Sequence, residues 1–130
     1  LCDRARAPNE FRELALAVAR WHGLCHRALE LRPSTLLELL EHLDAFRRPE
    51  RFAEFLLACE ADARGRAGLE QREYPQAAHL AAARRIAHET VLAPAEREGL
   101  RGAEIGERLR KLRIDALQAR LPRATTHGAP

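Results

Sequence analysis

Apolar residues recur every three or four positions along most of the chain, and this spacing places them on one face of an α-helix. The first such face consists of Phe11, Leu14, Val18, Trp21 and Cys25. Pro8 and Asn9 predict a stop followed by a helix N-cap, so this helix should begin at about Asn9. We expect Gly23 to bend or interrupt it.

Two further helices are predicted on either side of Pro49. After Pro33, Thr35 and Glu38 have the spacing of a capping box, and Pro49 suits the first position of the next helix. The buried side of the second helix should be Leu36, Leu39, Leu40, Leu43 and Phe46. The buried side of the third helix should be Phe52, Phe55, Leu56, Cys59 and Ala63, and this helix should end at Gly65.

The remaining helices lie beyond a polar loop at 69–75. One, over about 76–88, is rich in alanine and carries Leu80 and Ile86. The last runs over about 103–121, with Ile105, Leu109, Leu112 and Ala116 predicted to face inward. Its basic residues are predicted to cluster outside, and they are Arg108, Arg110, Lys111 and Arg113. No strand pattern occurs, so the predicted fold is all-α, an irregular bundle of four to six amphipathic helices.

Composition narrows the class of protein. The 130 residues contain no methionine, and we interpret the chain as a piece of a longer protein, truncated on its N-terminal side. No apolar run has the length of a membrane-spanning helix. The net charge is +3, and Lys111 is the only lysine among 22 basic residues. Three widely spaced cysteines match no zinc or disulfide framework, so Cys25 and Cys59 are predicted to be buried free thiols.

His22 and His26 are candidate metal ligands, because residues four apart share a face of a helix. The alternative is that both are packed or hydrogen-bonded histidines, since no carboxylate stands near them in the sequence. We expect His26 to matter less than His22, because Gly23 would turn it out of line.

Arginines bracket the third helix, and they are candidate contacts to RNA phosphates. This set consists of Arg47, Arg48, Arg51, Arg64 and Arg66. Arginine presents a planar fork that matches phosphate oxygens. The competing interpretation is a solvated surface, with ion pairs to Glu50, Glu54, Glu60 and Asp62.

Several segments resemble a known family. LDAFRRPERF (43–52), CEADARGR (59–66), EYPQ (73–76) and GLRGAEIGERLRKLRIDAL (99–117) are similar to the C-terminal region of bacterial CCA-adding tRNA nucleotidyltransferases. The likeness is to the multifunctional form that carries an HD domain, and it covers about 1–117.

The resemblance implies a parent enzyme that adds C, C and A to tRNA, with CTP and ATP as substrates and Mg²⁺ in its N-terminal polymerase head. It also implies an HD domain with metal-dependent phosphatase and phosphodiesterase activity, served by a divalent transition metal. Both catalytic centres should lie upstream of this chain, so we expect the isolated chain to be inactive and its location to be cytoplasmic.

The resemblance also suggests how the chain is divided. Residues 1–46 correspond to the end of the HD domain, 47–121 to a helical body that supports tRNA, and 122–130 to a disordered tail. His22 aligns with an HD-domain histidine. The expected RNA contacts are Arg47, Arg48, Arg51, Arg64, Arg66, Arg110, Lys111 and Arg113. Two alternatives stay open: a non-catalytic helical module that binds RNA or protein, and an unstable truncation product.

Overall fold

The computed structural model describes residues 2–65 and 73–121, with side chains described from Asn9 onward. These residues form helices and their connections, and no strand occurs among them, which confirms the all-α prediction. The α-helices are α1 (Cys2–His26), α2 (Pro33–His42), α3 (Pro49–Arg64), α4 (Pro75–Glu89), α5 (Pro94–Arg97) and α6 (Gly102–Arg120), with a 3₁₀ helix at Ala28–Glu30. Within the described ranges, no helix is long and apolar enough to cross a membrane. The predictions for Arg66 and for the tail at 122–130 concern residues outside the described ranges.

Prolines set the starts of four helices. Helices α2, α3, α4 and α5 begin at Pro33, Pro49, Pro75 and Pro94, respectively. The fixed backbone angle of proline suits this position, where its missing N–H would have no intrahelical acceptor. The placement of Pro49 is therefore confirmed. The prediction of a capping box at Thr35 is wrong, because α2 begins two residues earlier and its N-cap is Arg32.

Helix α1 is continuous through both of its expected interruptions. It passes Pro8 and Asn9, and it continues past Gly23 to His26. Proline at position 8 removes one hydrogen bond near the start of a long helix, and glycine costs only about 1 kcal/mol relative to alanine. Leu24 and Cys25 pack into the core directly after Gly23, and they hold this turn in place.

Helix α2 ends in a Schellman motif, in which Asp44 takes the position that glycine usually occupies. Asp44 has a φ of 56°, in the left-handed region. The N–H of Ala45 donates to the carbonyl of Leu40 at 3.0 Å, and the N–H of Asp44 donates to that of Glu41 at 3.1 Å. These bonds satisfy the last carbonyls of the helix and turn the chain toward α3.

The core gathers around α4, which packs against α1, α2, α3, α6 and the 3₁₀ helix. Its buried face carries Leu80, Ala83, Ile86 and Ala87. Helix α2 contributes Leu36, Leu37, Leu39 and Leu40, and α3 contributes Phe52, Phe55, Leu56 and Cys59. Most of the predicted stripes are therefore confirmed. On α6 the predicted inward residues are only half-buried, and the buried residue is their neighbour Leu117.

The N-terminal half of α1 leaves apolar side chains exposed. Phe11 is 74% exposed, and Leu16 on the same helix is 62% exposed. The stripe is apolar at helical spacing, but its hydrophobic contacts with the core begin only at Leu14. Phe11 therefore lies beyond the end of the core.

The alanines of α4 generate the first prediction. Ala83 has no exposed surface, whereas Ala81, on the same helix, is exposed. Ala83→Leu should lower the free energy of unfolding by about 1–3 kcal/mol, because three added carbons cannot be accommodated between packed helices. Ala81→Leu is the matched control and should change it by no more than about 0.5 kcal/mol. Urea unfolding followed by circular dichroism measures both, and equal effects would contradict the packing described here.

His79 generates a pH-dependent prediction. Its Nε2 is buried without a hydrogen-bond partner in the described structure, beside Leu31, Leu36 and Leu117. Burial lowers the pKa of this imidazole below its usual value. The unfolded chain then binds more protons, so stability is fully present above the unfolded-state pKa and falls as the pH drops through it.

The measurement compares His79→Gln with wild type between pH 7.5 and pH 5.5. Glutamine does not titrate, so the loss of unfolding free energy on acidification should be smaller in the variant. Ala78→Gln, at an exposed position of the same helix, replaces one residue that does not titrate with another and should keep the wild-type pH dependence. An unchanged pH dependence in His79→Gln would show that His79 does not titrate differently in the folded state.

Candidate functional site

A polar cluster surrounds the C-terminal end of α1. Because α1 is unbroken, His22, Cys25 and His26 lie on adjacent turns of one face. The rings of His22 and His26 meet edge to face, with 5.6 Å between their centroids. The expectation that Gly23 turns His26 out of line is therefore wrong.

His22 is oriented by the backbone of its own helix. Its Nδ1 lies 2.8 Å from the carbonyl oxygen of Val18, and a carbonyl can only accept, so Nδ1 carries the hydrogen. The lone pair of a neutral ring then lies on Nε2, the arrangement that metal-ligating histidines commonly adopt. However, no group of three or more histidine, cysteine or carboxylate side chains among the described residues could hold a metal ion. His22 offers one ligand, and the residues present do not fit a complete metal centre.

His26 has the more extensive contacts of the two histidines. Its Nδ1 lies 2.8 Å from the hydroxyl of Tyr74, and its Nε2 lies 3.1 Å from Oδ2 of Asp62. The side-chain amide of Gln76 donates to its backbone carbonyl at 2.9 Å. These contacts join α1, α3 and the start of α4. Helical spacing could not reveal them, because each partner is at least 36 residues away in the sequence.

Two buried thiols complete the cluster. Cys25 Sγ lies 3.3 Å from the Tyr74 hydroxyl, and Cys59 is a buried residue of α3, which packs against α1. Both cysteines are free and fully buried, which confirms that prediction. The pKa of Cys25 is lowered, mainly by its interaction with Cys59 and less by the Tyr74 hydroxyl, although burial opposes this shift. The interaction with Cys25 raises the pKa of Cys59. Burial above all raises the pKa of Tyr74.

The arginines of α3 are held by carboxylates. Arg51 lies 2.8 Å from Glu13 and Arg48 lies 3.6 Å from the same carboxylate, so two arginines attach α3 to α1. Arg64 pairs with Glu60 one turn earlier. Arg47 is 83% exposed, with Asp44 at 3.8 Å. The structure thus gives these residues ion-pair partners, although mostly different ones from those that the charge pattern suggested.

Helix α6 uses two of its basic side chains for packing. Arg110 reaches Glu41 at 2.5 Å and Glu38 at 3.8 Å on α2. Arg113 stacks over Phe46, with 4.6 Å from its guanidinium carbon to the ring centroid, and its Nε donates to the carbonyl of Ala87 at 2.8 Å. That carbonyl lies in the last turn of α4, where a cation is favourable. Burial lowers the pKa of Arg113. The prediction that Arg113 faces outward is wrong, because its aliphatic stem and fork lie against α4 and Phe46.

Two further basic residues of α6 are not used in this way. Arg108 and Lys111 are exposed, and neither makes an ion pair with another described residue. They share a surface with Leu100 and with three carboxylates, those of Glu96, Glu104 and Glu107. Between Pro94 and Leu121 the sequence has seven basic and five acidic residues, whereas 47–65 has four of each. The stretch 94–121 therefore carries a net charge of +2, and 47–65 carries none.

Comparisons with known proteins point to one group of relatives. The chain is 60% identical over 122 residues to the multifunctional CCA protein of Thioalkalivibrio sulfidiphilus, covering 91% of this chain and 29% of that protein. It is 57% identical over 117 residues to that of Ectopseudomonas mendocina and 55% identical over 118 residues to that of Nitrosococcus oceani. These alignments cover 90% and 91% of this chain, and 28% and 29% of the two relatives.

No protein-family model and no solved structure matches the chain. The chain spans less than a third of the length of the curated relatives that it matches. Within that span the identity is high along about nine tenths of the chain, and it confirms the resemblance carried by the motifs at 43–52, 59–66, 73–76 and 99–117. Over this length, the chain is a relative of the multifunctional CCA proteins.

Proposed function

We propose that this chain forms a tRNA-supporting helical part of a multifunctional CCA-adding enzyme. The observation that carries the proposal is the identity of 52–60% with multifunctional CCA proteins over about nine tenths of the chain. In the complete enzyme a separate N-terminal head would use CTP, ATP and Mg²⁺ to add the CCA end. A substrate of this kind also favours a cytoplasmic location.

The division into 1–46 and 47–121 is part of the proposal. The first part would close the HD domain and the second would support the body of tRNA. Both parts contribute to one hydrophobic cluster, and Glu13 pairs with Arg48 and Arg51 across the division. We therefore expect the two parts to move as one piece.

The tRNA surface is proposed to centre on α6. Exposed Arg108 and Lys111 can meet phosphates without first breaking an ion pair, whereas Arg110 and Arg113 already hold α6 on α2 and α4. Arg47, Arg48, Arg51 and Arg64 are the weaker candidates, because each would first have to give up a carboxylate partner in order to bind a phosphate. Arg66, which lies outside the described residues, is also a candidate.

For the HD domain, the proposal concerns His22 alone. A divalent transition metal there would supply phosphatase and phosphodiesterase chemistry in the longer protein. His22 would be one ligand, held in orientation by its hydrogen bond to Val18. The described residues provide no further ligands, so no step of that reaction is assigned to them.

The alternative function is a non-catalytic helical module that binds RNA or another protein. The exposed Phe11 and Leu16 on α1 are the observation in its favour, because apolar surface of this kind commonly marks a protein contact. Binding of tRNA with a dependence on Arg108 and Lys111 would support the first proposal. Binding of a protein that depends on Phe11, without any affinity for tRNA, would support the second.

The tRNA proposal predicts how affinity depends on salt. The double variant Arg108→Ala with Lys111→Ala should bind tRNA more weakly, and the slope of log K against log salt should fall by about two, one for each lost phosphate contact. Fluorescence anisotropy with labelled tRNA between 50 and 200 mM salt measures both quantities.

The matched control removes the same charge from α3. Arg48→Ala with Arg51→Ala also loses two positive charges, but from residues paired with Glu13. Its salt slope should stay within about half a unit of wild type. If the control lost as much slope as the α6 variant, the interface would not centre on α6. If neither variant changed affinity, the tRNA proposal for this chain would fail.

The His22 proposal is tested in a chain extended through its upstream HD segment. There, His22→Ala should lower metal-dependent phosphohydrolysis by at least about tenfold while CCA addition by the separate head is retained. His26→Ala is the comparison, and its effect should follow the stability of the protein. Unchanged phosphohydrolysis in His22→Ala would leave His22 as a residue that packs beside Trp21. In the present chain, we expect no incorporation of CTP or ATP into tRNA.

A further inference from the structure

A cavity of about 210 Å³ lies between the middle of α1, the end of α2 and the first turns of α3. Its apolar lining residues are Leu14, Ala17, Leu43, Phe52 and Phe55. The last three are buried in the hydrophobic core, so packing fixes these walls whether or not a ligand is bound. An apolar cavity of about 150 Å³ is large enough to bind benzene. The cavity therefore has room for a planar ring system.

Three polar side chains complete the lining, and they are His42, Asp44 and Arg51. Among the described residues, nothing donates a hydrogen bond to the Asp44 carboxylate, and its ion-pair partner Arg47 lies 3.8 Å away, beyond hydrogen-bond distance. Glu13 holds one Nη of Arg51 at 2.8 Å, and the guanidinium has further N–H groups to donate. The cavity thus offers a hydrogen-bond acceptor and a hydrogen-bond donor of opposite charge.

These groups favour a neutral ligand that has donors and acceptors of its own. A free ion would be attracted by one of Asp44 and Arg51 and repelled by the other. A carboxylate can accept from two adjacent donors, and a guanidinium can donate to a carbonyl oxygen. The aromatic rings of Phe52, Phe55 and His42 suit the faces of a flat molecule. The expected ligand is therefore planar, with two adjacent donors beside an acceptor on one edge.

Among the nucleobases, guanine has this edge. Its N1–H and N2–H groups are adjacent donors, and its O6 is the neighbouring acceptor. Adenine and cytosine place a ring nitrogen beside their amino group, and the lone pair of that nitrogen would face a carboxylate oxygen. Uracil has a single N–H between two carbonyl oxygens. Proteins that bind unstacked bases use hydrogen bonds to these edges together with stacking on the rings.

We propose that this cavity binds guanine, with Asp44 accepting from N1–H and N2–H and with Arg51 donating to O6. The backbone at Asp44 is in place before the ligand arrives, because its N–H donates to Glu41 at 3.1 Å and its carbonyl accepts from Arg48 at 2.9 Å. The guanine belongs either to a free guanosine nucleotide or to an unpaired guanosine of an RNA. Arg51 is one of the weaker candidates for a phosphate contact in tRNA, and binding of guanine here does not depend on the proposed tRNA surface.

The experiment titrates the whole ¹⁵N-labelled chain with GMP, IMP and AMP, which share a ribose phosphate and differ in the base. Trp21 is the only tryptophan, and its ring stacks on His42 with 4.7 Å between centroids, so its indole N–H gives one signal close to the cavity. GMP should shift this signal and the amide signal of Asp44 in a saturable way. It should bind at least about tenfold more tightly than AMP, with IMP between them because IMP lacks the N2 amino group. Equal affinities for GMP and AMP, or no saturable shift at Trp21 and Asp44, would overturn the proposal.

The source of the guanine is decided with short RNAs. One oligocytidine carries a single central guanosine, and its control carries adenosine at that position. If the guanosine oligonucleotide binds more tightly than both its control and GMP, the ligand is an unpaired guanosine of an RNA. If the two oligonucleotides bind equally while GMP is preferred over AMP, the ligand is the free nucleotide.

Two variants test the assigned roles, with circular dichroism to verify that each is folded. Asp44→Asn keeps the size of the side chain and suits the left-handed backbone, but it has only one acceptor oxygen. Its preference for GMP over AMP should fall to within about twofold. Ala17→Leu adds three carbons to the lining and should weaken GMP binding at least about fivefold, whereas Ala19→Leu, at an exposed position of the same helix, should bind as wild type. A preserved preference in Asp44→Asn, or equal GMP binding by both leucine variants, would contradict guanine recognition in this cavity.

Discussion

The close approach of four helices to the alanine-lined face of α4 is the constraint on which the rest of the fold depends. Ala83 and Ala87 are fully buried on the same face as Leu80 and Ile86, so α4 offers only small side chains at two of its contact positions. This closeness also brings polar groups within hydrogen-bond reach. Arg113 on α6 reaches the carbonyl of Ala87, and Arg84 on α4 reaches that of Ala45 at 2.8 Å. The close approach of these helices therefore allows both the hydrophobic packing of α4 and the hydrogen bonds from arginines to backbone carbonyls.

The use of arginine inside the fold changes how the basic composition should be interpreted. Arg48, Arg51, Arg110 and Arg113 connect helices through ion pairs, a backbone carbonyl and an aromatic ring. The guanidinium group suits this work, because its fork binds two partners and its flat face stacks on a ring. Much of the positive charge of the chain is thus compensated internally. Arg108 and Lys111 are exposed and make no ion pair with another described residue, which is why the proposed tRNA surface includes them.

The sequence predicts the helices well, because apolar spacing and proline are local signals. The start of α3 at Pro49 and the buried face around Phe52 and Phe55 follow directly from them. The end of α2 does not, since Asp44 takes a left-handed conformation that usually indicates glycine.

The candidate sites are less predictable, for a different physical reason. The contacts of His26 with Tyr74 and Asp62 depend on how three helices meet, and periodicity carries no information on that. The same applies to Arg113, whose position on a polar stripe did not show that Phe46 and Ala87 would bury it.

We propose that Arg108 and Lys111 on α6 contact tRNA, and the single lysine allows a direct measurement. The ε-amine of Lys111 can be acetylated with a succinimidyl ester and followed by mass spectrometry, with the N-terminal amine as an internal reference. With saturating tRNA at low salt, the account predicts that acetylation of Lys111 slows severalfold relative to the N-terminal amine, and that high salt restores the rate. An acetylation rate that saturating tRNA leaves unchanged would contradict the account.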